Sequence, residues 1–425
     1  MNVMVVGPGG REHALVWKIA RSPLVKKIIC APGNPGIARH ADLFDVAVED
    51  REGMRKLAIS QKIDLAVIGP GFPFVLGLAD ELEKVGILVC GPGNEAAKLE
   101  GSKSFAREIF KKYSLGIVDA EVFDDYDEAE RYILSYPLPV VIRADGPVAG
   151  VGARVCETFE EAIAFLRRSM IDGAFGASGE KVVVEKFLFG QETTFILFTD
   201  GKNIIPLPSC GDHERIGDGE TGPNAGGMGA YSPAPSMTSF IEKKAQESIF
   251  QPLLHGMREE GKPFKGILGG KLVIDRGNPA LLDLHIGFGD LEAQVLLVRM
   301  KSDIVPLLVG CAQGNLGDNS IEFDTRTSLC VVMTSGGYPG AYQLGLEIKG
   351  LEEAEGMDDV MVFHEGTRRE GDTMVNAGGR VFGVTARGDT LRDAISLAYE
   401  AVDKISWDGA YYRKDIGFRA LERGE

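Results

Sequence analysis

The chain has 425 residues, of which 44% are hydrophobic and 25% charged, and its net charge is −16. That length exceeds one ordinary core and implies roughly two to four domains. The acidic balance argues against a nucleic-acid partner, although a local pocket can still be positive enough to take an anionic small molecule.

The opening stretch carries Arg11, Glu12 and Lys18, so it lacks the apolar heart of a signal peptide. No apolar run reaches bilayer-crossing length. The cysteines (Cys30, Cys90, Cys156, Cys210, Cys311 and Cys330) stand apart without a C-x-x-C pair. Such spacing gives neither a zinc site nor a disulfide framework and fits a reducing cytosol. A cytoplasmic protein with no membrane partner is expected. Glycine is the compositional outlier, with 55 residues clustered in short loops. Backbone that turns sharply or lies against a ligand needs such residues.

In chain order, Val3 to Val6 reads as a strand, residues 11–21 as a helix, and Lys27 to Ala31, Ile63 to Ile68 and Gly86 to Cys90 as further strands. Each strand ends in a glycine-bearing turn: GPGG, APGN, GPG and GPGN. This alternation predicts a doubly wound parallel sheet with ligand sites at the carboxyl ends of its strands. The first loop, Gly7 to His13, follows a strand and opens a helix, which makes it a ready anion site. Gly9, Gly10, Arg11 and His13 are its candidate substrate contacts, with charge from Arg11 and His13. Three readings stay open there: phosphate or phosphoribosyl binding, a plain tight turn, or a nicotinamide cofactor. Against the last, Glu12 replaces the third glycine of G-x-G-x-x-G, and no acid ends the second strand.

From about Ser102 the texture changes. A helical stretch leads to the strand PVVIRADG, the glycine run GPVAGVGA, a helix over 158–169 and the strand VVVEKFL. The run from Arg143 to Gly152 suits a flap whose backbone amides fold over phosphates, with Arg143, Gly150 and Gly152 as contacts. In ATP-grasp enzymes a strand such as VVVEKFL is the hinge that holds adenine, and a later acid grips the ribose. Glu185, Phe187, Leu188 and Glu192 match that layout, and an ordinary amphipathic strand with a surface acid is the alternative. Residues 192–325 read as a larger mixed sheet interrupted by a long loop over 211–235. Asp283 and His285, one residue apart on a strand, share a face and could hold a metal against a triphosphate, or form a solvated polar face. From about Ser328, strands CVVMT and RVFGVTA and a helix at 389–405 complete the chain. The expected domains are 1–101, 102–191, 192–327 and 328–425.

The motifs GGREHA (9–14), APGN (31–34), LEGSK (99–103), RADG (143–146), TGPNAGGMGAYSPAP (221–235), RMKSD (299–303), GGYPG (336–340) and RKDIG (413–417) resemble the phosphoribosylamine–glycine ligase family, in its order from end to end. The resemblance implies an α/β fold with an N-terminal doubly wound sheet, ATP-grasp domains and a small β-rich C-terminal domain. It implies ligation of glycine to 5-phosphoribosylamine through glycyl phosphate, with ATP and Mg²⁺ or Mn²⁺. It also points to Asp212, His213, Asp290 and Glu292 as catalytic, Lys103 as a nucleotide contact, and Asn224, Gly226, Gly227 and Met228 as substrate contacts. No coiled coil or apolar patch is readable, and a monomer or weak dimer is expected.

The departures from the family fall on charged positions. Arg143 and Val151 stand where the family flap has lysines, and Asp283-x-His285 where it has Glu-x-Asn. Gly287 replaces an arginine, Gly71 an acid, Gly211 an amide and Glu214 a base. These changes imply reduced activity, or alternatively a ligase for another acid and amine, or a nucleotide-binding protein without catalysis.

Overall fold

Alternate residues of the first strands enter different cores, as the pleat of a sheet covered on both faces requires. The computed structural model describes residues 1–116, 119–146, 148, 152–317 and 319–421. Strands β1 (Asn2–Val6), β2 (Lys27–Ala31), β3 (Asp42–Leu43), β4 (Leu65–Ile68) and β5 (Leu88–Cys90) form a parallel sheet in the order β3-β2-β1-β4-β5. Met4, Ile29, Ala66 and Val89 pack into one core, and Val3, Val5, Ile28 and Val67 into another. The doubly wound expectation is met. The edge strand β3 is too short to carry a periodic signal in the sequence.

Strands β6 (Ala120–Phe123), β7 (Val140–Ala144), β8 (Ala153–Cys156) and β9 (Val182–Lys186) form an antiparallel sheet in the order β6-β9-β7-β8. Helices Tyr126–Ser135 and Phe159–Met170 cover it, burying Val140, Ile142, Val182 and Val184. Each helix starts on a side-chain cap: Asp125 accepts from the Glu128 N–H at 2.9 Å, and Thr158 from the Glu161 N–H at 3.2 Å.

The chain continues through β10 (Gln191–Thr199), β11 (Ile204–Pro206), β12 (Gly211–Gly217), β13 (Thr221–Ser232), β14 (Gly266–Asp275) and β15 (Asn278–Ile286). It ends with β16 (Thr327–Thr334), β17 (Val360–His364), β18 (Thr367–Glu370), β19 (Thr373–Asn376) and β20 (Arg380–Gly388). One sheet runs β11-β10-β14-β15, a second β12-β13-β16-β20-β17, and β18 pairs with β19. Phe195, Leu197, Leu268 and Leu281 of the first of these sheets join the core of the parallel sheet.

The stretch 211–235, expected as a long loop, is largely the antiparallel hairpin of β12 and β13. Gly222, Gly226 and Gly227 adopt φ of 77°, 66° and 101°, and the register slips twice within the hairpin. Bulges of this kind erase the alternation by which a strand is read. β13 also pairs with β16, so residues of the middle and final segments share one sheet. Its core, around Leu329, Val331 and Val384, is closed by helix Leu391–Val402. That helix opens on a reciprocal cap between Thr390 and Asp393. Among the described residues no helix is long and apolar enough to cross a membrane.

Candidate active site

One face of the β10–β14–β15 sheet carries the charged residues. Antiparallel partners share a face, so Lys271 with Asp283, and Gly269 with His285, look the same way. Helix Lys103–Lys112 brings Lys103 and Arg107 to this face. Lys103 Nζ lies 2.6 Å from Asp283 Oδ1, and Arg143 Nη1 3.7 Å from Asp283 Oδ2. At the end of β9, the buried Glu185 carboxylate accepts from Arg107 Nε at 2.7 Å and Arg143 Nε at 2.8 Å. Arg107 Nη1 remains buried without a partner. Three cations therefore face two carboxylates, a surplus suited to an anionic ligand. Burial alone would raise the Asp283 carboxyl, but Lys103 and Arg143 outweigh it and hold it well below the usual range. Phe187 and Leu188 follow β9, and the Phe187 ring meets Phe189 edge-on at 4.9 Å. Gly152 leads into β8 and accepts from the Ala144 N–H at 2.7 Å. Gly150 and Val151 lie outside the described residues.

A second cluster centres on Lys271. Its ammonium bonds Glu214, lies 2.9 Å from Glu192 and stands 3.8 Å from Asp212. Burial would lower the ammonium pKa, but Asp212, Glu214 and Glu192 drive it well above the usual lysine range. Burial raises the carboxyls of Asp212, Glu214 and Glu292. Glu192, the expected ribose acid, is thus engaged by Lys271. His213 alternates away from Asp212, and its ring is fully buried against the final segment. Its Nδ1 lies 2.7 Å from Glu220 Oε1, while Nε2 accepts from the Gly417 N–H at 3.0 Å. Both nitrogens are occupied, so His213 pins the hairpin to the C-terminus instead of facing the cluster.

The opening glycine loop already carries its anions. Glu12 Oε2 accepts from the Gly9 N–H at 2.7 Å, and Asp290 Oδ1 from the Arg11 N–H at 2.9 Å. Arg11 itself donates to Glu12 at 2.6 Å and to the Phe288 carbonyl at 3.1 Å. These carboxylates meet the positive end of helix Gly10–Ile19 and take amides that a phosphate would otherwise use. His13 adds no charge there. Its Nδ1 accepts from the His364 N–H at 2.9 Å, and burial holds its pKa well below the usual range.

Beside that loop opens a cleft of about 400 Å³, lined by Pro8, Gly9, Asn34, Asp290, Glu365 and Arg380 among others. Arg380 ties three elements together. It donates to the Gly226 carbonyl, to Asp290, and to Glu365 Oε2 at 3.0 Å. Gln294 Nε2 reaches Glu365 Oε1 at 3.3 Å. Asn224 Oδ1 accepts from the Gly226 N–H at 2.8 Å, which shapes the turn that Arg380 grips. A Cβ at Gly227 would strike Leu291, and Met228 is buried in the C-terminal core.

The ATP-grasp (A) domain of phosphoribosylglycinamide synthetase matches residues 101–293, its N domain residues 1–100 and its C domain residues 328–419. The phosphoribosylamine–glycine ligase of Brucella melitensis is 44% identical over 423 residues, spanning 100% of this chain and 99% of that one. The chain belongs to the phosphoribosylglycinamide synthetase family. The Salmonella typhi relative, also a phosphoribosylamine–glycine ligase, is 43% identical across 100% of this chain and 99% of its own. The crystal structure of the Thermotoga maritima phosphoribosylamine–glycine ligase is 30% identical, with a TM-score of 0.87 over 98% of this chain and 100% of that one. A biotin carboxylase domain from Hydrogenobacter thermophilus, 17% identical with a TM-score of 0.74 over 97% of this chain and 91% of that one, shares the fold.

Several of the positions expected from the sequence to depart from the family have packed partners. The space a side chain at Gly71 would take holds the Glu100 carboxylate, which accepts from the Ile286 N–H at 2.6 Å. Tyr231 covers Gly211, and Lys271 neutralises Glu214. The His285 imidazole lies over Gly269, where a Cβ would collide with it. Its Nε2 is buried without a partner, and burial lowers its pKa, so a neutral donor is free beside Asp283. Among the described residues no three acidic, His or Cys side chains are placed to hold a metal. Asp283 is meanwhile paired with Lys103, Arg143 and the Leu284 N–H.

Lys271, Glu365, Arg380 and Arg107 were not among the residues expected from the sequence. Lys271 carries a signal, as the one charged residue inside the apolar run GILGGKLVI. Glu365 and Arg380 sit at strand ends and carry none.

Proposed function

We propose that this chain joins glycine to 5-phosphoribosylamine, consuming ATP and releasing glycinamide ribonucleotide, ADP and phosphate, a step of purine biosynthesis. The observation that carries this reading is a set of charged clusters. A cation surplus at Lys103, Arg107 and Arg143 and the Lys271 cluster share one sheet face, and a polar cleft at Glu365 and Arg380 opens beside the first glycine loop. The cations suit the triphosphate, with Phe187, Leu188 and Gly152 around the nucleotide. Asp212, Glu292 and Lys271 suit an amino acid whose ammonium needs carboxylates and whose carboxylate needs a cation. The cleft suits the second amine.

Glycine's carboxylate attacks the terminal phosphorus of ATP, giving glycyl phosphate and ADP. The amine then attacks the acyl carbon, and phosphate departs. The protein's contribution is alignment of three substrates and fixed charge where charge develops. A divalent cation held by Asp283 and His285 would neutralise phosphate charge when bound. Val151 removes a flap donor worth about 1.5–3 kcal/mol, so turnover is expected about 10- to 100-fold below that of a flap with lysine there.

The Gly71–Glu100 and Glu214–Lys271 pairings favour a second reading, ligation of a different acid and amine on the same scaffold. The deciding assay supplies ATP, glycine and freshly generated phosphoribosylamine with Mg²⁺ or Mn²⁺, and follows ADP and ligated product together. Stoichiometric product supports the first reading. ADP release that depends on another acid–amine pair supports the second.

A further inference from the structure

The cleft beside the opening glycine loop holds a carboxyl group that the reaction above leaves without a task. Glu365 follows β17, is nine-tenths buried and lines the cleft. Its Oε2 meets Arg380 Nε at 3.0 Å and its Oε1 meets Gln294 Nε2 at 3.3 Å, which leaves each oxygen a further lone pair. Gly10 lies so close that a Cβ there would meet both Gln294 and Glu365. The carboxyl is thus held in one pose by partners from β20 and from helix Asp290–Leu297, with the cleft before it.

Amide formation leaves a surplus proton on nitrogen. Resting on the ligase reading above, we propose that Glu365 accepts the proton released by the attacking amine. The amine lone pair forms the C–N bond, the acyl C–O bond to phosphate breaks, and phosphate leaves with that electron pair. The proton passes from nitrogen to the Glu365 carboxylate and then to water as product departs.

The neighbouring carboxylates are less suited. Asp290 lines the same cleft and has both oxygens engaged as Glu365 does, but it faces the charges of two guanidinium groups, Arg380 and Arg11, which hold its pKa low. Glu292 belongs to the Lys271 cluster. Around Glu365 stand Arg380, Gln294, Asp290 and Glu12, with Cys330 and Tyr338 behind Arg380. Burial is the largest influence, and with Asp290 and Glu12 it outweighs Arg380 and Gln294, lifting the carboxyl to about 7. A base works best when its pKa lies near the working pH.

The test compares Glu365→Gln with the unaltered enzyme in two reactions that share the acyl phosphate. Hydroxylamine captures glycyl phosphate as a hydroxamate without help from the cleft, whereas phosphoribosylamine must be seated in it. The expected result is a loss of about 100-fold in amide formation, with hydroxamate formation kept within about two-fold. The acid limb near pH 7 in the amide pH–rate profile should vanish in the variant. Equal losses in both reactions would make Glu365 a structural counter-charge and overturn the assignment, as would an unchanged pH profile. Should the unaltered enzyme form hydroxamate but no amide with phosphoribosylamine, the amine substrate is misread, and the assignment falls with it.

Discussion

Lys103 Nζ and Asp283 Oδ1 lie 2.6 Å apart, joining the first turn of helix Lys103–Lys112 to strand β15 across 180 residues of sequence. On the proposed reading phosphates reach this pair, and the lysine would turn from carboxylate to ligand when nucleotide binds. Lys103→Met should weaken ADP binding by about 10- to 100-fold, the worth of one charge-assisted hydrogen bond. Titration calorimetry with ADP checks this. Unchanged affinity would place the nucleotide elsewhere.

Glu185 compensates two guanidinium groups from a position only 1% exposed. Truncating one member of a buried ion pair leaves uncompensated charge and costs about 3–5 kcal/mol. Glu185→Ala should lower the stability extrapolated from urea unfolding by that amount, with a lower midpoint and an unchanged dependence on urea. Arg143→Ala should cost less, because Arg107 still covers the carboxylate.

Lys271 and Glu214 should be coupled. Lys271→Glu places a further carboxylate among Glu192, Asp212 and Glu292 and should abolish the site's affinity for an amino acid. Adding Glu214→Lys returns a cation to the cluster. In a double-mutant cycle the exchange should recover about 0.5–3 kcal/mol of stability relative to the sum of the single changes. Strict additivity would show that the contact is incidental.

Glu220 sets an acid limit. Burial would raise its carboxyl, but hydrogen bonds from His213 and Arg413 with the charge of Arg419 hold it at about 2. A depressed carboxyl stabilises the fold above its unfolded pKa, and that share is lost as pH falls from about 4.5 through about 2. Glu220→Gln should therefore lower the melting temperature at pH 7 and converge with the unaltered protein at the acid end. Parallel curves would contradict it.

His285 should set metal choice. An imidazole donor is disfavoured by Mg²⁺ and accepted by Mn²⁺. With ADP bound, Mn²⁺ should bind more tightly than Mg²⁺, and His285→Asn should shift the ratio toward Mg²⁺ by about ten-fold. Electron paramagnetic resonance of bound Mn²⁺ reads this without turnover.

The strands and helices of the parallel sheet were legible because each strand is a short apolar run closed by a glycine turn. The hairpin over 211–232 was not, since seven of its residues are glycine and bulges break its alternation. At the site, spacing placed Asp283 and His285 on one face, while the resemblance to ATP-grasp ligases grouped Lys103, Arg143 and Glu185 as nucleotide contacts. It could not reveal that Arg11 and His13 are turned to internal partners, because that depends on Asp290 and His364, hundreds of residues away. Glu365 and Arg380 were silent for the same reason. Their meaning lies in a cleft assembled by elements from both ends of the chain.

The pairing of β13 with β16 sets a timetable for synthesis. β13 ends at Ser232 and its partner begins at Thr327, so about 95 residues must be made before the edge is covered. At about 5–20 residues per second that delay is about 5–20 s. Throughout it a nascent chain displays Met228, Ala230 and Tyr231 on a strand with an open side, an invitation to pair with another chain on the same polysome. Slow stretches of translation between these strands would lengthen the exposure, and a holding chaperone would shorten its consequences.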